Sequence, residues 1–325
     1  MTDPGAASDP HAVHVPFRLT EVLHALDHQR GQVVVDGTLG AGGHATEIVR
    51  RIEPGGRLIG LDRDPMMLQL AQSALGTPTS HLVHASYAEL TRVLSQLNIE
   101  QVDAVLVDLG LSSDQLAHAD RGFGFDSAGL DMRFDPTGGQ TAADLLNEST
   151  AAQLADIFYE YGEERFSRRI ARRIVESRPI ETAAQLADVV RRATASGRGR
   201  QRIHPATRVF QALRIAVNDE LGALERLLRH ELPVALRPGG RAVVISFHSL
   251  EDRLVKHAFR DGPWDVLTRK PVTADDAEIR TNPRARSAKL RAARWLGHDA
   301  PGRRRGGEGT RVRGNWRYTE PTEDA

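Results

Sequence analysis

Apolar residues along the chain alternate between two spacings. Val33, Val34 and Val35 form a short β-branched run that ends in Asp36, which predicts a buried strand. Upstream, RLTEVLHALDHQ spaces Leu19, Val22, Leu23 and Leu26 as a helix, with Thr20 near its start. Downstream, ATEIVRRI is helical, GRLIGLD (56–62) is a strand, and PMMLQLAQSAL is a helix. HLVHASYAEL is a short strand leading to Tyr87, and VDAVLVDLG (102–110) is an apolar strand ending in Asp108. Four strands alternating with helices predict a parallel, doubly wound α/β sheet. Asp36, Asp62, Tyr87 and Asp108 then all fall at carboxyl ends of strands, where such sheets bind ligands.

The pattern breaks after Asp108. Residues 110–135 are rich in Gly, Ser and Asp and have no period, yet Leu116, Phe123, Phe125, Leu130, Met132 and Phe134 argue for order. From Thr141 to about Ala195 the spacing is helical throughout, with caps at Asn147–Thr150 and at Glu181-Thr182. This predicts an all-helical insertion, followed by a flexible basic link, SGRGRQRIHP (196–205). The α/β pattern then resumes: a long helical stretch broken near Pro233, a turn and strand (RPGGRAVVISFHS), a helix (LEDRLVKHAF), and two last strands (VLTRKPV, AKLRAARW). The expected organisation is a disordered tail at 1–13, a discontinuous ligand-binding domain at 14–135 and 205–300, an inserted helical domain at 136–204 expected to recognise RNA, and an Arg/Gly-rich tail at 301–325.

Composition narrows the chemistry. The 325 residues carry 43 basic and 43 acidic side chains, so the net charge is zero. The charge is nevertheless segregated: residues 160–215 hold 13 Arg against 6 acids, and residues 280–317 hold 12 basic residues against 2 acids. Arg presents a planar fork that suits phosphate and stacks on bases, so the clusters point to RNA. Cysteine is absent, which excludes disulfides, cysteine-rich zinc sites and a thiol nucleophile. No apolar run approaches a membrane span, and the polar N-terminus has no signal-peptide pattern, so a cytoplasmic protein is expected.

The stretch VVVDGTLGAGGH (33–44) joins a strand to a helix through four glycines, Gly37, Gly40, Gly42 and Gly43. This is how an α/β sheet cradles a nucleotide-like ligand. Gly40-x-Gly42-x-x-Ala45 also satisfies a dinucleotide fingerprint, so S-adenosylmethionine and NAD(P) both remain open at this point. Asp62, 20 residues past Gly42, suits the ribose that the two share. The strand layout and the loop after Asp108 favour S-adenosylmethionine. Methyl transfer is an in-line displacement that needs alignment but no metal or redox group. Without a thiol, methylation at C5 of a pyrimidine is disfavoured; an exocyclic nitrogen, an oxygen or a more nucleophilic ring position remains.

The motifs DGTLGAGGH, GLDRDP, DLGLSSDQL, RGFGF, LDMRFD, YGEERF, HPATRVFQALRIAVNDEL, ISFHSLEDR and NPRARSAKLRA occur in this order. Together, from about His14 to Ala293, they closely resemble the ribosomal RNA small subunit methyltransferase H family (RsmH/MraW). The resemblance implies a class I S-adenosylmethionine methyltransferase, Rossmann-like, with a helical domain inserted after the fourth strand. It also implies methylation of N4 of a cytidine in the decoding region of bacterial 16S rRNA. Carried over by motif, the cofactor contacts fall on Gly42, Gly43, His44, Asp62, Tyr87, Asp108 and Gln115. Tyr87 stands where the family usually has Phe, Gly124 where Ser is common, and Phe134 where Met is common.

Asp36 is expected to anchor the glycine loop. Asp108, the hydroxyls of Ser112 and Ser113, and His248 are the candidates for activating or orienting the target amine. Arg284, Arg286, Lys289 and Arg291 are the candidate phosphate contacts. Expected partners are 16S rRNA or the small ribosomal subunit and a second copy of the chain, with no membrane and no metal. Two other classes stay open on the residues alone: an NAD(P)-dependent oxidoreductase, and a non-catalytic RNA-binding factor on the same fold.

Overall fold

The computed structural model describes residues 17–76, 78–195 and 204–298. The expected tails at 1–13 and 301–325, and most of the basic link at 196–205, lie outside the described residues. The elements in chain order begin with α1 (Leu19–Leu26), β1 (Val33–Asp36), α2 (Gly43–Ile52), β2 (Arg57–Asp62), α3 (Pro65–Leu75), β3 (Ser80–His84), α4 (Leu90–Gln96) and β4 (Val102–Asp108). A short helix α5 (Ser113–Ala117) and a 3-10 turn (Ala119–Arg121) lie in the stretch expected to be aperiodic. Then come α6 (Ala142–Glu148), α7 (Ala151–Glu160), α8 (Ser167–Glu176), α9 (Ala183–Thr194) and α10 (Thr207–Asn218). The chain returns through α11 (Glu220–Arg226), a π turn (Leu227–Glu231) and α12 (Leu232–Ala235). It continues with β5 (Leu236–Ser246), α13 (Ser249–Asp261), β6 (Trp264–Val266), β7 (Val272–Thr273), α14 (Asp276–Thr281) and β8 (Lys289–Trp295).

The strand order is β3-β2-β1-β4-β5-β8-β6, with β7 also on β8. The first five strands are parallel, and β8 runs antiparallel between β5 and β6. Successive residues point to opposite faces of a strand. Val35, Val105, Val107, Ala242 and Val244 therefore enter one core with α4, the α11–α12 region and α13. Val34, Ala104, Leu106, Val243 and Ile245 enter the other with α1, α2 and α3. Both faces are covered, which is why the strands read as continuous apolar runs rather than alternating ones.

Three boundaries differ from expectation. The first helix stops at Leu26, because Asp27 adopts the left-handed conformation (φ 47°) and closes the last turn. RPGG joins the following strand as a bulge: β4–β5 pairing jumps from Val102↔Leu236 to Ala104↔Arg241, and Gly239 takes φ 89°. VLTRKPV divides into β6 and β7, which both pair with β8.

A third core, wholly helical, is built from α6 to α10 together with Phe123, Leu130 and Met132. It draws on residues on both sides of the expected insert at 136–204, since the 123–134 segment and α10 pack into it. Thr141, Thr150 and Thr182 cap α6, α7 and α9, each with a reciprocal capping box. Among the described residues, no helix is long and apolar enough to cross a membrane.

Candidate active site

The glycine turn sits over the tips of β1, β2 and β4. Asp36 anchors it as expected: its carboxylate accepts the Thr38 N–H at 3.2 Å. The Thr38 hydroxyl in turn accepts the Asp108 N–H at 2.6 Å, tying the turn to β4. Gly37 is closely packed: a Cβ would stand 3.1 Å from Val107 Cγ2 and 3.2 Å from Tyr87 Cβ, so these neighbours would have to give way. The glycines of the turn divide in role. Gly42 (φ 89°) starts α2 with its open side against Ala71 of α3, and Gly43 is the first residue of α2. Gly40 (φ 53°) instead faces open space, and its N–H donates to Asp62 Oδ2 at 2.8 Å. Its backbone is therefore open on the side where a side chain would stand.

Three carboxylates, Asp36, Asp62 and Asp108, crowd this edge. Asp62 lies at the tip of β2, accepting Gly40 N–H and, through Oδ1, Asp64 N–H at 2.9 Å. Burial pushes the Asp62 carboxyl up to about 6, against the pull of those amides. Burial raises Asp36 to about 7. Burial, followed by the charges of Asp36 and Glu251, raises Asp108 to about 8. Asp108 Oδ1 is buried and has no hydrogen-bond partner, while Oδ2 lies 3.8 Å from His44 Nδ1. His44 is buried, and its Nε2 meets the Phe17 carbonyl at 2.9 Å. A carbonyl can only accept, so Nε2 carries the proton and Nδ1 faces Asp108. Buried carboxylates with raised pKa, one of them with an unpartnered oxygen at Asp108, favour a ligand bringing N–H or O–H donors and positive charge. A sulfonium amino acid with a ribose offers all three, so these residues fit S-adenosylmethionine.

The loop after β4 is more tightly organised than its composition suggests. Ser112 caps α5, accepting Gln115 N–H at 3.0 Å, while its own hydroxyl reaches Met67 Sδ at 3.3 Å. Gln115 is buried, with its carbonyl on Ser112 N–H and its amide donating to Asp64 Oδ2 at 2.9 Å. The side chains of Ser112 and Gln115 thus hydrogen-bond within the protein. Asp64, fully buried, also accepts Arg121 Nη1 at 2.8 Å, and Arg121 reaches the Arg133 and Phe134 carbonyls. Asp64 and Arg121 were not singled out from the sequence, although the DRD run at the second strand tip carried the signal. Ser113 remains at the site's edge, its hydroxyl accepting Arg284 Nη1 at 3.0 Å.

On the other side, His248 caps α13, its Nδ1 accepting Glu251 N–H at 3.4 Å. Its Nε2 is buried and lies 3.1 Å from Glu251 Oε1, at an angle that makes no hydrogen bond. Glu251 accepts the N–H groups of Phe247 and His248. Burial works to raise the Glu251 pKa, but His248 and Arg214 hold it below the ordinary value. Glu220, His248 and Glu251 bring ligand atoms within 4.8 Å of one another. Both oxygens of Glu220, however, are taken by the Arg214 guanidinium at 2.7 and 2.9 Å. Tyr87 is buried beneath this group, and burial pushes its phenol well above its usual range.

The four candidate phosphate contacts separate. Arg291 is buried and paired with Asp252 at 2.6 Å, and Lys289 reaches the same carboxylate at 3.3 Å. Both brace β8 against α13, since the antiparallel register sets them beside Asp252. Arg286 is exposed. Arg284 has no carboxylate within 4 Å among the described residues, and burial followed by the Arg214 charge lowers its pKa.

Residues 11–296 match the MraW methylase family. The chain is 49% identical over 308 residues to the ribosomal RNA small subunit methyltransferase H of Geobacter sulfurreducens, covering 87% of this chain and 99% of that protein. It is 52% identical over 288 residues to the protein of the same name from a Synechococcus strain, covering 84% and 89%. A SAM-dependent methyltransferase from Aquifex aeolicus is similar in structure at 11% identity, with a TM-score of 0.39 and coverage of 88% of this chain and 93% of that one. With the match running through the sheet, the glycine turn and the helical core alike, the chain belongs to the MraW methylase family.

Proposed function

We propose that the chain transfers the methyl group of S-adenosylmethionine to N4 of a cytidine in the decoding region of 16S rRNA. The donor is S-adenosylmethionine, which supplies an electrophilic methyl group on a sulfonium. The observation that carries the acceptor assignment is Asp108 Oδ1, buried and unpartnered at the tip of β4. The cytosine amine is a poor nucleophile because its lone pair is delocalised into the ring. An acceptor drawing on one N–H localises that lone pair and holds it in line with the methyl group. Asp108 is the acceptor, and its raised pKa suits it to take the proton released as the new C–N bond forms. The absence of cysteine agrees with attack by an amine rather than through a covalent ring adduct.

Asp62 and the Gly40 turn hold the ribose, Tyr87 packs beneath the adenine side, and Gly42, Gly43 and His44 border the methionine side. Ser113 and Arg284 border the entry of the target base, and His248 orients it from the β5 side. Isolated small subunits incubated with labelled S-adenosylmethionine and digested to nucleosides test the assignment. Label in N4-methylcytidine is expected; label in another nucleoside overturns the acceptor. No incorporation, with RNA binding retained, would make the chain a non-catalytic binding factor.

A further inference from the structure

We infer that the outer face of α8 is the track that grips the phosphodiester backbone of the substrate RNA beside the target nucleotide. This rests on the proposed RNA substrate and adds a surface to it. The sequence SRRIARRIVE buries Ser167, Ile170, Ala171 and Ile174 against the helical core. That leaves Arg168, Arg169, Arg172 and Arg173 exposed on the opposite side, with Arg165 exposed just before the helix.

Part of the charge on this face, at Arg165, Arg168 and Arg172, has no carboxylate partner among the described residues. Arg173 pairs with Glu176 at 2.9 Å. The nearby acids are spent elsewhere: Glu163 on Ser249 at 3.1 Å and on Arg253, and Glu164 on the Phe166 N–H at 2.8 Å. Arg168 and Arg172 are four residues apart, Arg169 and Arg172 three, and Arg169 and Arg173 four. Each spacing sets like charges side by side on a helix and works against the fold. A polyanion turns that repulsion into attraction.

Position supplies the direction. The turn before α8 docks through Glu163 on Ser249, the residue after His248. The arginine face therefore starts beside the element that carries His248, at the proposed target-base pocket. Arg165, Arg168 and Arg172 fall on one stripe, three and then four residues apart. Arg168 and Arg172 are separated by about 6 Å along the axis, the scale of neighbouring phosphates in one strand. Guanidinium groups neutralising phosphates release counterions, so each contact adds to the salt dependence of binding.

The test compares the full chain with Arg168→Gln/Arg172→Gln and Arg168→Lys/Arg172→Lys, using protein-free 16S rRNA and isolated small subunits across a salt series. The Gln pair is expected to lower the slope of log affinity against log salt by about 1.5 and to weaken RNA binding about tenfold at low salt. The Lys pair is expected to keep the slope. Calorimetric affinity for S-adenosylmethionine is expected to stay the same in all three, which shows an intact fold. An unchanged slope in the Gln pair overturns the inference. So does a loss seen only with assembled subunits, which would place an acidic protein on this face. Because the slope is read from binding, it does not depend on which nucleoside receives the methyl group.

Discussion

Asp108 is the acceptor in the proposed reaction, and its environment gives it a pH signature. Its carboxyl is raised from 3.8 to about 8 by burial and by Asp36 and Glu251. The folded state therefore binds a proton that the unfolded chain has released. The stability from this group is fully present below pH 3.8 and is lost as pH rises through 8. Asp36, raised to about 7, adds to the same trend. Thermal unfolding of the ligand-free protein is thus expected at progressively lower temperature from pH 5 to 9, and Asp108→Asn is expected to flatten that fall. A cationic ligand prefers the ionised form, so S-adenosylmethionine affinity should climb with pH towards 8, by up to about tenfold per unit for one coupled proton. Titration calorimetry at several pH values checks this; the same climb in Asp108→Asn would remove Asp108 from the site. At Asp62, Gly40 N–H and Asp64 N–H are held by different oxygens, and Asn keeps an acceptor for only one of them. Asp62→Asn is therefore expected to weaken cofactor binding and to lower the unfolding temperature modestly, read by the same two measurements.

Among the elements, the loop after β4 separates what sequence could show from what it could not. The sheet was legible because its strands are buried on both faces and end in polar residues at one edge. The caps of α7 and α9 were legible because Thr150 and Thr182 stand three residues before a Gln. The order within 110–135 was not, because it rests on contacts distant in sequence: Asp64 with Gln115, and Arg121 with Asp64 and the Phe134 carbonyl. Spacing carries no trace of such pairs. For the same reason the hydrogen bonds that Gln115 and Ser112 make within the loop left no mark on the sequence. Removing Arg121 leaves Asp64 charged and buried, a loss worth about 3–5 kcal/mol. Arg121→Ala is expected to lower the denaturant midpoint accordingly and to open the loop to limited proteolysis; an unchanged midpoint would show that Gln115 alone holds Asp64.

Across the whole molecule, the helical core and the sheet meet at Asn218. Its amide donates to the Met132 and Arg214 carbonyls and accepts the Phe134 N–H, while its own carbonyl takes Arg63 from the β2 tip. Asn218→Ala strands buried groups at about 1–3 kcal/mol each, and hydrogen exchange at Phe134 is expected to quicken before exchange in β1 or β4. One feature of the sheet bears on how the chain is made. β8 is the last strand in chain order, yet it lies inside the sheet between β5 and β6. During synthesis, β5 therefore leaves the ribosome with an open, apolar flank that nothing can fill until residue 295 has emerged. The enzyme's nascent form is a sheet with a missing stave, exposed to wrong pairing for the time needed to translate some fifty codons after Ser246.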